Sequence, residues 1–341
     1  MGERLKGRTL GTQCLLVAVV ENPYDAWSTG PVERIRPALP RCDNRFSGDL
    51  AIRKTYLIEG ETMATSETSD LVEVVTGEAA RLRDFLSGLD EETWASDSTC
   101  EGWTIEDVVA HLAGSASGWA RTITRAVAGD AGPPEGQSFL APGERGSHPT
   151  GEAARASRQQ SGDQLLDLFA ARHDSLRELL EGLTDEDWDK PCFHRRGPLP
   201  VKGYLGIQIQ ELVLHGWDIR WGLDSVADLS DECLPTMVRL VPRWIRNAYA
   251  PGLDLPTPVR YRFDVSNPVA VHEDLLVSGD GYQAGQSVPE PADVVFRCSS
   301  GNYVLLMFGR LEVEYAVSTG RLSIEGSRDQ AKNFNAWFKG F

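Results

Sequence analysis

The ten residues Phe85-Leu-Ser-Gly-Leu-Asp-Glu-Glu-Thr-Trp94 are echoed by Leu179-Leu-Glu-Gly-Leu-Thr-Asp-Glu-Asp-Trp188. Each copy closes one apolar helical stripe and leads through a connection into another, which is the signature of a duplicated helix pair. In the first pair, Asp70 precedes a stripe of Leu71, Val75, Leu82, Phe85, Leu86 and Leu89. Thr104, with Asp107 three residues on, then opens a helix carrying Ile105, Val108, Val109, Leu112, Ala116, Trp119 and Ile123 as a capping box would. The Gly/Pro-rich stretch from Gly129 to about Gly151 reads as a long loop. In the second pair, Leu165, Phe169, His173, Leu176, Leu180 and Leu183 share a face, and Pro200 suits the first turn of a helix running from Val201 to Leu223. Ser230 is the expected cap of a fifth helix that reaches about Tyr249. Four long helices in two similar hairpins predict an antiparallel four-helix bundle.

Beyond Pro251 the period changes from helical to alternating. Val259-Arg-Tyr-Arg-Phe-Asp-Val265 alternates at period two, Val294 to Cys298 and Leu322 to Glu325 are shorter strand candidates, and helices are expected near 300–308 and 329–338. The fold class is therefore α+β: a helical domain over 63–250, then a small α+β domain over 251–341. Residues 1–62 hold Pro31, Pro37 and Pro40 in Arg-rich sequence without a sustained apolar period. They are expected to stand apart as a disordered terminus, or as a leader translated ahead of a start at Met63, since Glu59-Gly60-Glu61 permits purine-rich codons just upstream.

Charge and cysteines narrow the partners. Across 341 residues, 34 Lys plus Arg face 50 Asp plus Glu, a formal net charge of -16 that argues against nucleic acid and anionic membrane surfaces and favours small molecules. The apolar run Cys14 to Val20 is too short for a membrane span or a convincing signal peptide. The six cysteines include no C-x-x-C pair, so neither a disulfide framework nor a thiolate zinc knuckle is legible, and a reducing cytoplasm is the expected compartment.

Chemistry concentrates in the second helix of each pair. Glu211 and His215 are four residues apart and share a face within Leu205, Ile207, Ile209, Leu212, Val213 and Leu214, where an ionisable group needs a partner. His111 lies in an equally apolar setting, Val108-Val-Ala-His111-Leu-Ala. Two histidines and one carboxylate form the ligand set of an open catalytic zinc site, which nickel or iron(II) can share. A buried histidine bonded to a carbonyl is the competing reading for each. His173 reads as a core histidine, Trp103 and Trp217 as packing, and Asp218 as either a surface aspartate or a group orienting His215. Gly279-x-Gly281 lacks the setting of a dinucleotide site.

The segments Cys100-Glu-Gly-Trp-Thr-Ile-Glu-Asp-Val-Val-Ala-His-Leu-Ala-Gly114 and Glu211-Leu-Val-Leu-His-Gly-Trp-Asp218 together resemble the mycothiol-dependent maleylpyruvate isomerase family, metal-binding members of the DinB-like four-helix bundles. The resemblance covers about Met63 to Tyr249, and the remainder looks like a sterol-carrier-type domain. It implies His111, Glu211 and His215 as ligands of a divalent metal, most simply Zn2+, and mycothiol as a low-molecular-weight thiol cosubstrate. It also implies an isomerase or S-transferase acting on a small electrophile. Phe308-Gly-Arg310 resembles a Gly-Arg turn of the relatives, which makes Arg310 the candidate catalytic clamp for a substrate carboxylate, with Arg321 in Thr-Gly-Arg321 competing. Two other classes remain open at this level: a non-catalytic apolar-ligand-binding protein and a thiol-independent metal-dependent hydrolase.

Overall fold

The computed structural model describes residues 60–141, 150–250, 255–279 and 281–338. The expected leader lies outside this set except for its last three residues, which begin the first helix. Helix α1 (Gly60–Ser87) runs through Asp70, which is therefore internal rather than a cap. It ends at the first echo copy, where Asp90 accepts a hydrogen bond from the Thr93 amide and caps the short α2 (Glu91–Trp94). Thr104 and Asp107 form the expected capping box at the start of α3 (Ile105–Val127). The described part of the Gly/Pro-rich stretch, residues 129–141, is loop, residues 142–149 lie outside the described set, and a helix not expected from the sequence, α4 (Thr150–Ser161), follows before α5 (Leu165–Glu181). The second echo copy repeats the first: Thr184 and Asp187 make a capping box for α6 (Asp185–Trp188).

A two-rung hairpin, β1 (Pro191–Cys192) with β2 (Leu199–Pro200), carries the chain into α7 (Lys202–Leu223), so Pro200 sits in a strand just ahead of the helix. Helix α8 (Leu234–Ala248) is preceded by Cys233, and Ser230 turns its hydroxyl to the Glu78 carboxylate at 2.5 Å instead of capping. Glu78 is buried and also paired with Arg81 at 2.6 Å, so it competes successfully for that hydroxyl.

Four long helices form the bundle. α1 packs on α5 and α7, and α3 packs on α5 and α7, which puts the two helices of each duplicated pair across a diagonal. The expected hairpins therefore do not close on themselves. Each connection carries a short helix, α2 or α6, and is long enough to cross an end of the bundle. This exchange makes α3 and α7 neighbours and thereby sets His111 opposite Glu211 and His215.

The C-terminal region is a five-stranded sheet in the order β5 (Tyr282–Gln286), β4 (Val271–Val277), β3 (Val259–Ser266), β6 (Val294–Ser299), β7 (Leu322–Gly326). β3 and β6 run parallel and the other neighbours antiparallel. The period-two reading holds in β3, where Val259, Tyr261, Phe263 and Val265 point into the core. Helices α9 (Ser300–Met307), α10 (Val313–Ser318), α11 (Arg328–Lys332) and α12 (Phe334–Trp337) accompany the sheet. The molecule is thus a helical bundle followed by a sheet-containing region, a mixed α+β architecture. Buried side chains run continuously from the bundle into the sheet region, and Trp244 of α8 stacks on Phe308 with ring centroids 4.7 Å apart. Among the described residues no helix is long and apolar enough to cross a membrane.

Candidate metal centre

α3 and α7 bring together the three residues singled out in the sequence. His111 Nε2 lies 2.9 Å from Glu211 Oε2, and His215 Nε2 lies 3.5 Å from the same oxygen. The two imidazole rings stand edge to face, with centroids 5.2 Å apart. The three donor atoms lie within 4.8 Å of one another. Two imidazole nitrogens and a carboxylate oxygen at such spacing fit a divalent cation with open positions, zinc being the simplest match to that donor set. Trp103 packs its ring edge-on against His111 at 5.7 Å, closing one side of the cluster.

A further layer holds His215. Its Nδ1 is 3.0 Å from Asp218 Oδ2, so Nδ1–H donates to the carboxylate and Nε2 is the nitrogen turned to the cluster. Asp218 is only 1% exposed and receives two parallel bonds from Arg310, Nε to Oδ1 at 2.9 Å and Nη2 to Oδ2 at 3.1 Å. Thr99 donates its hydroxyl to Asp218, and the Cys100 thiol donates to Asp218 Oδ2 at 3.3 Å. Arg310 comes from the turn after α9, so the C-terminal region braces a residue of the bundle. Arg321 points elsewhere: it pairs with Asp228 at 2.7 Å and lies over the Trp221 ring.

The electrostatics follow from this packing. Burial alone would raise the Glu211 carboxyl, but hydrogen bonds from His111 and His215 overcome it and hold the group ionised, well below the usual carboxylate range. Burial opposes charge on His215 as well, yet bonds to Asp218, Cys100 and Glu211 raise it well above an ordinary imidazole. Asp218 is likewise lowered against its burial by His215 and Arg310. The cluster therefore carries two negative charges, Asp218 buried and Glu211 partly buried, facing imidazole nitrogens, an arrangement in which a cation can replace a proton.

His173 takes no part. It is buried on α5 against Phe169, at a centroid distance of 4.3 Å, as its place in the apolar stripe predicts. Sequence reading left Asp218 undecided and gave Cys100 and Thr99 no role. Neither has a spacing that signals one, since Cys100 lies 118 residues from Asp218 and meets it only through the fold.

The centre opens into a cavity of 1640 Å³. Its walls include Cys100, Trp103, His111, Glu211, His215 and Arg310. That volume exceeds the roughly 300–1,000 Å³ typical of a single small-molecule site.

Residues 75–220 match the family model described as mycothiol maleylpyruvate isomerase N-terminal domain, and residues 258–339 match that of the SCP-2 sterol transfer family. The crystal structure of the mycothiol-dependent maleylpyruvate isomerase aligns at 18% identity over 72% of this chain and 89% of that one, with a TM-score of 0.50. YfiT from Bacillus subtilis, described as a probable metal-dependent hydrolase with an unusual four-helix bundle topology, aligns at 16% identity over 52% of this chain and 91% of its own, with a TM-score of 0.36. Sterol Carrier Protein 2 from Yarrowia lipolytica aligns at 18% identity over 30% of this chain and 76% of its own, with a TM-score of 0.20. No curated protein matches the chain.

Proposed function

We propose that this chain, which joins a mycothiol maleylpyruvate isomerase N-terminal domain to an SCP-2-type domain, is a metal- and mycothiol-dependent isomerase or S-transferase acting on a small electrophile. The observation that carries the proposal is the meeting of His111, Glu211 and His215 at the wall of a cavity large enough for two small molecules. These three residues would hold the divalent cation, with zinc the first candidate. Bound there, the cation supplies Lewis acidity that keeps a neighbouring thiol as thiolate at neutral pH.

The remaining roles belong to the chain itself. Asp218 fixes the ring of His215 and keeps its proton on Nδ1, so that Nε2 is the donor. Glu211 provides the negative charge that offsets a cation in a half-buried site. Trp103 limits water at His111. Arg310 enters through Asp218: two of its nitrogens lie on that carboxylate, and a substrate carboxylate reaching the guanidinium competes for the same fork. An electrophile held beside a thiolate undergoes addition. Rotation and elimination then yield an isomer, whereas retention of the sulfur bond yields a transfer product.

Packing in the sheet region weighs against the apolar-carrier reading. Tyr261, Phe263, Phe296 and Phe334 are fully buried and pack on one another with centroid distances of 5.3 to 6.0 Å, so this part of the core is filled by its own side chains. The test is elemental analysis of the purified chain joined to turnover assays with electrophile and mycothiol. Stoichiometric metal and turnover that needs the thiol are expected. Metal-free protein would overturn the metal centre, and full turnover in thiol-free buffer would favour a hydrolase.

A further inference from the structure

We propose that the end of the cavity remote from His111 is an oxyanion subsite, so that the substrate is an elongated molecule bearing a carboxylate or phosphate far from its reacting carbon. This deepens the functional reading above and rests on it for the identity of the reacting end. It stands on the shape and charge of the cavity for the other end.

One face of α3 runs the length of the cavity. His111, Ser115, Gly118, Thr122 and Arg125 all line it, spaced alternately by four and three residues and therefore stacked along one side of the helix. At 1.5 Å per residue, His111 and Arg125 are separated by about 21 Å along the axis. On that face Ser115, Gly118 and Thr122 are small, with Trp119 lining the cavity beside them, and a Cβ added at Gly118 would meet nothing within 4 Å. The passage between the two ends is open there.

The far end is cationic. Arg121 and Arg125 come from the last turns of α3, and Arg195 and Arg196 come from the connection between β1 and β2. That connection is held in place by the Leu140 amide donating to the Arg195 carbonyl at 2.8 Å and by Lys190 Nζ donating to the Val127 carbonyl at 2.9 Å. Glu135 also lines the cavity, and Arg125 is paired with Asp130 at 2.5 Å. Arg125 uses Nε and Nη2 for that pair while its Nη1 has no hydrogen-bond partner. In a chain of net charge -16 this is a local inversion of sign inside a low-dielectric cleft, where field lines focus and an anion is drawn in. Guanidinium forks match the planar oxygens of a carboxylate and the tetrahedral face of a phosphate.

A matched pair of fluorescent probes tests the subsite on the full chain without metal or thiol, so failure of the catalytic reading does not affect the result. 1-Anilinonaphthalene-8-sulfonate carries the anion, and N-phenyl-1-naphthylamine is the same ring system without it. At low ionic strength the sulfonate is expected to bind at least about tenfold more tightly, as a charge-assisted contact would give. The double variant Arg121→Gln/Arg196→Gln changes two exposed residues, should remove that preference, and should leave the uncharged probe unaffected. Arg83→Gln on α1, outside the cavity, is the control for overall charge and should change nothing. Gly118→Leu, which puts a side chain into the passage, should weaken both probes. Equal binding of the two probes, or a preference that survives the double variant, would overturn the subsite. Displacement of the sulfonate by millimolar inorganic phosphate alone would point to a free-anion site and overturn the elongated substrate.

Discussion

His111 and His173 occupy similar sequence, each a lone histidine in the apolar stripe of a bundle helix, yet the structure gives them opposite surroundings. Around His111 lie the Glu211 carboxylate, a second imidazole and an open cavity. His173 packs against a phenylalanine ring, its Nε2 has no hydrogen-bond partner, and burial depresses its pKa to about 4. The helix that bears a histidine does not decide its chemistry; the helix across from it does. α3 faces α7 with its carboxylate, while the carboxylate that acts on His173 is that of Asp174, its neighbour in sequence, and acts through charge alone.

The sharpest way to break this contrast is to exchange the histidines for alanine one at a time. His111→Ala and His215→Ala should each lose most bound metal, at least about 100-fold in affinity by competition with a chromophoric chelator, since losing a ligand costs no less than losing its supporting group. His173→Ala should keep its metal. Equal retention in all three variants would reduce the cluster to core polar groups.

The next effect in size concerns the brace from the C-terminal region. Arg310→Met leaves the buried Asp218 carboxylate without its bidentate partner, and removing one half of such a pair costs about 3 kcal/mol. Denaturant unfolding should show that loss together with weaker metal binding, because His215 is no longer held. A stability change without a change in metal affinity would confine Arg310 to packing.

His173 itself predicts a pH effect of known sign. Its folded pKa of about 4 lies below the ordinary 6.5, so the unfolded chain takes up a proton that the folded chain refuses. Stability unaffected by this group above pH 6.5 is lost progressively as pH falls toward 4, by about 3 kcal/mol in total. His173→Leu should flatten that part of the pH–stability curve, and an unchanged slope would place the loss on other groups. The smallest effect separates the two echo copies: Thr104→Ala and Thr184→Ala each remove one capping box and should each cost about 1 kcal/mol in thermal unfolding.

Much of this was legible beforehand because it depends on neighbours in sequence. Thr104 and Asp107 are three residues apart and cap α3 wherever it packs. The alternation of Val259, Tyr261, Phe263 and Val265 gives β3 a buried face whichever strand lies beside it. Glu211 and His215 share a helical face by their spacing alone. Among the places where the reading departed from the structure, Ser230 and α4 each make a long-range contact. Asp70 lies inside α1, Ser230 serves Glu78 rather than a helix end, and α4 forms between the Gly/Pro-rich stretch and α5, with Arg158 of α4 paired to Asp107 at 3.3 Å.

The sequence by itself determined the helices, the change to strands after 251 and the residue types able to hold a cation. Local propensity and periodicity act over a few residues and are written directly in the chain. Only the tertiary structure decided which helices are neighbours, and with that the meeting of His111 with Glu211 and His215, the Arg310 fork on Asp218 and the cationic far end of the cavity. Those contacts join residues about 100 positions apart, and their geometry is set by how the whole core packs, which no local spacing records.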